Sequence, residues 1–237
     1  VSYTAKVKNG CKNMMYSDDL SYFQVDVPKG FAHIYTCSTE GLVTANALPD
    51  LQQQEQQRVA QFTNPTDKNR YINAHAFLRQ VLSRYIAVPP AEVSFEYTDL
   101  GQPVLSGAQA VVCFGLSYRN AQVIVGVSSH PIGVDIEQVS KTDIDSVAYN
   151  FFSKEECTAL DAAINTNEKL ILFFRIWTLK EAFIKGLGIG VGYDLQSFTV
   201  DPSAMPVQLH STEIGWLLHE IEMPAGYVAA AAIKMDI

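Results

Sequence analysis

The chain has 237 residues, 48% hydrophobic and 18% charged, with a formal net charge of −8. That length allows one large domain or two halves of ordinary size, the composition excludes a disordered chain, and the acidity argues against general affinity for nucleic acid, whose phosphates require a basic surface. The apolar run near the end, Tyr227 to Ile233, is far short of the ~20 residues of a bilayer span, and Val1-Ser2-Tyr3-Thr4 opens no basic-then-apolar leader, so neither a membrane nor an export route is expected.

In chain order, Phe31 to Cys37 reads as a strand, and Leu48-Pro49-Asp50 as the start of a Gln-rich helix to about Phe62. Asn64-Pro65-Thr66 breaks the chain and can cap the next helix, which runs to about Ile86 with Ile72, Phe77, Leu78, Val81, Leu82 and Tyr85 at helical spacing. Pro89-Pro90 ends it, and Val93 to Tyr97 alternates as a strand. Further strands are predicted over Ala121 to Val127 and Ile132 to Glu137. Ser153-Lys154-Glu155-Glu156 carries a capping-box signature, and a long helix from about Asn167 to Leu187 stops at the glycines that follow. Strands near Leu195 to Val200, Gly215 to Ile221 and Tyr227 to Met235 close the chain. Cys11, Cys37, Cys113 and Cys157 are scattered and show no CxxC spacing, which suits reduced thiols in a cytoplasmic protein.

Each half offers strand, short helix, long helix, strand. The expected fold is therefore α+β, a pseudo-two-fold duplication in which each half has a mainly antiparallel sheet packed by a long helix. The expected halves are residues 1–119 and 120–237. One continuous α+β domain is the alternative.

Two acidic segments point to chemistry. In Ile132-Gly133-Val134-Asp135-Ile136-Glu137 the β-branched residues take one face of a strand and Asp135 and Glu137 share the other. In Trp177-Thr178-Leu179-Lys180-Glu181-Ala182-Phe183-Ile184-Lys185 a spacing of four sets Trp177, Glu181 and Lys185 on one helical stripe. Three carboxylates and a lysine on two rigid elements suit a hard divalent cation with a phosphate beside it. Taken separately, the two strand acids are equally a solvent face, and Glu181 with Lys185 an ordinary i,i+4 ion pair. A metal-dependent nuclease uses similar groups, but its lysine usually lies close to a carboxylate on a strand, and the net acidity counts against it.

Together the two segments resemble the signature of 4′-phosphopantetheinyl transferases, and the chain length resembles the two-half Sfp-type subfamily. Phe151-Phe152-Ser153-Lys154-Glu155-Glu156 is similar to that family's FFS..E helix start, Gly101-Gln102-Pro103 to its G-K-P turn, Phe114-Gly115-Leu116-Ser117-Tyr118 to its F-N-(L/I)-S-H segment, and Arg70 to Arg79 to its R…LLR helix. The resemblance implies transfer of 4′-phosphopantetheine from coenzyme A to a serine of an apo acyl, peptidyl or aryl carrier protein by a monomer, with release of 3′,5′-ADP. It implies Mg²⁺ (Mn²⁺ the alternative) held by Asp135, Glu181 and Glu137. Glu181 becomes the candidate base and Lys185 the phosphate contact. Arg58, Arg70, Gly101, Gln102, Pro103, Ser117, Tyr118, Asp135 and Lys185 become coenzyme A contacts, and Arg79 a support of that pocket or a structural ion pair. Tyr118 replaces the family's histidine, Gly115 its asparagine and Gln102 its lysine. These departures raise a second reading, a non-catalytic coenzyme A- or carrier-binding homologue.

Overall fold

The computed structural model describes residues 6–7, 22–27, 29–41 and 47–236, the first two stretches by their backbone only. The strands are β1 (Lys6–Val7), β2 (Tyr22–Val27) and β3 (Gly30–Ser38), then helices α1 (Gln53–Ala60) and α2 (Pro65–Ile86). A short hairpin of β4 (Phe95–Tyr97) and β5 (Pro103–Leu105) leads into β6 (Cys113–Arg119) and β7 (Gln122–Ser128). After β8 (Ile132–Gln138) come α3 (Ile144–Phe151), α4 (Lys154–Asp161) and α5 (Thr166–Leu187). The hairpin β9 (Thr199–Asp201) and β10 (Gln208–His210) precedes β11 (Trp216–Ile221) and β12 (Tyr227–Lys234). Among the described residues no helix is long and apolar enough to cross a membrane.

Two antiparallel sheets form, ordered β1-β2-β3-β7-β6 and β11-β12-β8. Three apolar cores fix the layers. Phe77, Leu78, Val81 and Leu82 of α2 pack on Tyr35, Val123, Val125 and Val127 of the first sheet. Phe173, Leu179, Ala182 and Phe183 of α5 pack on Ala230 and Ala232 of the second. Ala32, Ile34 and Ile124 meet Ile132, Val134, Ile136 and Ile233 between the sheets. The result is four layers, helix–sheet–sheet–helix, with the sheets face to face.

The duplication holds residue by residue. The order β3-β7-β6 repeats as β8-β12-β11, and each half carries its hairpin at the same place. α2 and α5 are both 22 residues long. Gln52 and Ser153 cap α1 and α4, and in both caps the carboxylate three residues on completes a capping box. That carboxylate, Glu55 or Glu156, lies buried against a cation of the long helix, Arg79 or Lys180. Arg79 also donates to the Pro90 and Val93 carbonyls and stands over the Phe95 ring; Lys180 donates to the Leu195 and Phe198 carbonyls and stands over Phe198. Even the left-handed caps correspond, Ala87 and Gly188.

Because β7 lies between β3 and β6, the repeat turns over between Ser128 and Ile132. The boundary expected at residue 119 falls at the turn of the β6–β7 hairpin. The helix expected from Leu48 to Phe62 is a 3₁₀ turn, Leu48–Asp50, followed by α1, because Leu51 is extended where the Gln52 cap must begin. Of the strand expected over Leu195 to Val200, Leu195–Ser197 is a 3₁₀ turn and the strand β9 starts at Thr199.

Burial holds the Lys180 ammonium below the usual lysine range, against the pull of Glu156. Lys180→Met leaves the Glu156 carboxylate buried without its cation, so the urea-unfolding free energy should fall by about 3–5 kcal/mol. Adding Glu156→Gln should return much of it. A single mutant as stable as wild type, or a double mutant no better than the single, would remove the pair from the account of stability.

Candidate active site

β8 carries Asp135 and Glu137 on the face away from Ile132, Val134 and Ile136, as alternation requires. What brings α5 onto that face is a glycine contact. A Cβ on Gly133 would run into the Ala182 carbonyl and the Gly186 nitrogen, and a Cβ on Gly186 would lie 3.0 Å from the Gly133 nitrogen. Strand and helix backbones therefore touch at Ala182 and Gly186, the residues that directly follow Glu181 and Lys185. β6 contributes from the other half. A Cβ on Gly115 would stand 3.3 Å from the Ile132 carbonyl and the Val134 nitrogen, so this glycine has a packing reason where β6 crosses β8.

Asp135 is 4% exposed. Its Oδ1 accepts from Lys185 Nζ at 2.5 Å and from Ser117 Oγ at 2.9 Å, while Lys185 Nζ lies 3.4 Å from Ser117 Oγ. Its Oδ2 is buried and has no hydrogen-bond partner. Lys185 thus pairs with the strand acid, and the i,i+4 pairing with Glu181 is not made. Burial, then the negative charge of Asp135, pushes the Glu181 carboxyl up, with Lys185 opposing. Burial and Asp135 likewise raise Glu137, against Arg119, whose Nε lies 3.2 Å from Glu137 Oε2. Arg119 was not read from the sequence; its place on the same strand as Ser117, one hairpin from β8, is the only signal it offers.

These acids suit a hard cation in the chemistry of their oxygen donors. Among the described residues no three His, Cys, Asp or Glu side chains converge as they stand. The orphaned Asp135 oxygen and two carboxyls raised partly by the charge of a neighbouring acid are nevertheless the signature of negative charge that a divalent ion would relieve.

The remaining residues expected at the site fall into other neighbourhoods. Arg58, exposed on α1, donates to Gln61 Oε1 at 3.0 Å and covers the Phe62 ring. Arg70 pairs with Asp67 at 2.9 Å. Tyr118 packs against the N-terminal core, close enough to Arg58 and Asp67 to feel both, and burial raises its phenol. Strand alternation therefore turns Tyr118 away from the acids that its neighbour Ser117 touches. Arg79 is wholly buried and is a structural ion pair. Gly101 has a φ of +79° in the turn of the β4–β5 hairpin, and Pro103 pairs with Tyr97 at its base. Gln102 Nε2 donates to the Lys185 backbone carbonyl at 3.2 Å.

Comparison with known proteins agrees with this division. The model of the 4′-phosphopantetheinyl transferase superfamily matches residues 131–232, and that of the 4′-phosphopantetheinyl transferase N-terminal region matches residues 39–130. They meet where the strand topology turns over. HetI of Nostoc, a 4′-phosphopantetheinyl transferase, is 30% identical over 187 residues, covering 77% of this chain and 78% of that one. Sfp of Bacillus subtilis is 27% identical over 75% of this chain and 79% of its own. The gsp transferase of Aneurinibacillus migulanus is 28% identical over 64% of this chain, which spans 62% of that relative's length. The chain belongs to the Sfp-type 4′-phosphopantetheinyl transferase family of enzymes.

Proposed function

We propose that this protein moves 4′-phosphopantetheine from coenzyme A to a serine hydroxyl of an apo acyl, peptidyl or aryl carrier protein, with Mg²⁺ bound, releasing 3′,5′-ADP. The observation that carries the reading is the buried Asp135, held on one oxygen by Lys185 and Ser117 and free on the other, beside Glu181 and Glu137. Asp135 and Glu181 would hold the ion and Glu137 would complete its shell, Mn²⁺ being the alternative ion. When bound, it neutralises charge on the pyrophosphate.

The serine oxygen forms a bond to the β-phosphorus of coenzyme A, and the bond from that phosphorus to the bridging oxygen breaks. Glu181 takes the serine proton as the general base. Lys185 places its ammonium where charge grows on the leaving 5′-phosphate of 3′,5′-ADP, and positioning with charge neutralisation supplies most of the acceleration. Arg58, Arg70, Gly101, Pro103 and Tyr118, all in the N-terminal half, receive the nucleotide end of coenzyme A, and the C-terminal half carries the ion. A monomer suffices, since both halves are on one chain. The free thiols of Cys113 and Cys157 suit a reducing, cytoplasmic setting; Cys11 lies outside the described residues. The packing reason for Gly115 removes one ground for a non-catalytic homologue.

The test is to incubate the protein with coenzyme A, Mg²⁺ and a panel of apo carrier proteins and weigh the carriers intact. A phosphopantetheine-sized gain that disappears with chelator supports the reading. Coenzyme A binding with no gain on any carrier would overturn transfer in favour of a binding homologue.

A further inference from the structure

The hairpin of the N-terminal half reaches the catalytic helix of the other. Its turn is tightly made: Thr98 N donates to the Gln102 carbonyl at 2.9 Å, Gly101 N to the Thr98 carbonyl at 2.8 Å, and Gln102 N to Thr98 Oγ1 at 3.1 Å. Held this way, Gln102 presents its amide to the last turn of α5. There the Lys185 carbonyl accepts from Gly188 N at 3.2 Å and from Gln102 Nε2 at 3.2 Å. A helix leaves its final carbonyls without intrahelical donors, and a side-chain donor at that place caps them. Gly188, whose φ is +71°, also leaves room for this approach, since a Cβ there would stand 2.5 Å from Gln102 Oε1.

We infer that Gln102 is a positioning residue for Lys185, a side-chain cap supplied across the two halves, and not a ligand of coenzyme A. The inference rests on the transfer reading above for its effect on rate. The carbonyl that Gln102 holds belongs to the residue whose ammonium lies on Asp135, 2.5 Å from Oδ1. With its amide spent on that carbonyl, Gln102 fixes the turn from which Lys185 reaches over the strand acid. This gives the glutamine a reason of its own at a turn where the family pattern has lysine. Both are donors able to cap a helix C-terminus.

Three variants and three readouts test it. In Gln102→Ala, amide hydrogen exchange at residues 184–188 of the protein without coenzyme A should quicken about 3–10-fold, the range a single hydrogen bond allows. Its kcat should fall about tenfold, from the misplaced ammonium, with the Kd for coenzyme A within about twofold of wild type. Gln102→Glu should lose at least as much, because a carboxylate cannot donate and is repelled by the helix C-terminus; Gln102→Lys should restore both exchange and rate. Unchanged exchange in Gln102→Ala, together with a Kd for coenzyme A weakened in step with activity, would overturn the inference and make Gln102 a ligand. The exchange arm needs no turnover, so failure of the transfer reading would leave it decisive.

Discussion

Glu181→Gln should fold, keep coenzyme A binding, and transfer phosphopantetheine about 10²–10⁴-fold more slowly than wild type, the range expected for loss of a general base. Asp135→Ala should lose at least as much, since it removes the anion that faces both Lys185 and Ser117. The glutamine variant carries a second signature that a simple folding defect lacks. Glu181 has a carboxyl raised by burial and by Asp135. Between the ordinary glutamate range and that raised value, the native state holds more protons than the unfolded one, so stability falls as pH rises through this window. Above the raised value the full penalty is present, and at neutral pH the uncharged amide of the Glu181→Gln variant relieves it.

Thermal melts of the ion-free proteins should therefore place Glu181→Gln at or above wild type near pH 7, with the gap closing as pH drops below about 4.3, where even the unfolded glutamate is protonated. Added Mg²⁺ should raise the wild-type Tm and leave Glu181→Gln nearly unmoved, because a ligand stabilises only the state that binds it. Near-wild-type turnover in Glu181→Gln would remove Glu181 from the chemistry. A variant that melts lower at every pH would contradict the electrostatic account while leaving the catalytic one open to the rate measurement.

What the sequence made legible was mostly local. Asn64 and Ser153 as caps, the stop of α5 at its glycines and the alternation of Asp135 and Glu137 across a strand are each decided within a few residues. The half-by-half repeat was legible for the same reason, as an order of elements, although its residue-level register, from Glu55 and Arg79 to Glu156 and Lys180, was not. Arg79 shows why: a structural ion pair was one of its two readings, but the partner, Glu55, and the two carbonyls it also holds are supplied only by the fold. The choice of Asp135 over Glu181 by Lys185, the turning of Tyr118 away from the acids, and the reach of Gln102 to the other half depend on how two separate units pack. No spacing along the chain encodes that. The short helix α3 was missed because, although Ile144, Val147, Ala148 and Phe151 fall at helical spacing, its eight residues are shorter than the window over which a period is read.

Gly133 is the position where fold and chemistry are least separable. Asp135 can reach Lys185 only because β8 and α5 touch backbone to backbone, and a Cβ at Gly133 would strike the Ala182 carbonyl and the Gly186 nitrogen. Neither obstacle is a flexible side-chain end, so the helix must lift from the strand. Gly133→Ala should cost about 1–3 kcal/mol of unfolding free energy, as overpacking does, and β-branched Gly133→Val more. The loss of transfer should exceed what that destabilisation explains. A helix lifted by even ~1 Å carries Glu181 and Lys185 away from Asp135, and displacements of that size cost about 10²-fold in rate. Measured well below its Tm, folded Gly133→Ala should therefore transfer about 100-fold more slowly than wild type and bind Mn²⁺ more weakly. Gly226→Ala provides the comparison: that glycine's φ of +87° makes alanine straining, but no atom lies within 4 Å of its Cβ position. Its variant should lose stability and keep the folded protein's rate. Equal specific rates for Gly133→Ala and wild type would mean that the strand–helix contact serves the fold alone and that the acids and Lys185 are aligned by something other than this close approach.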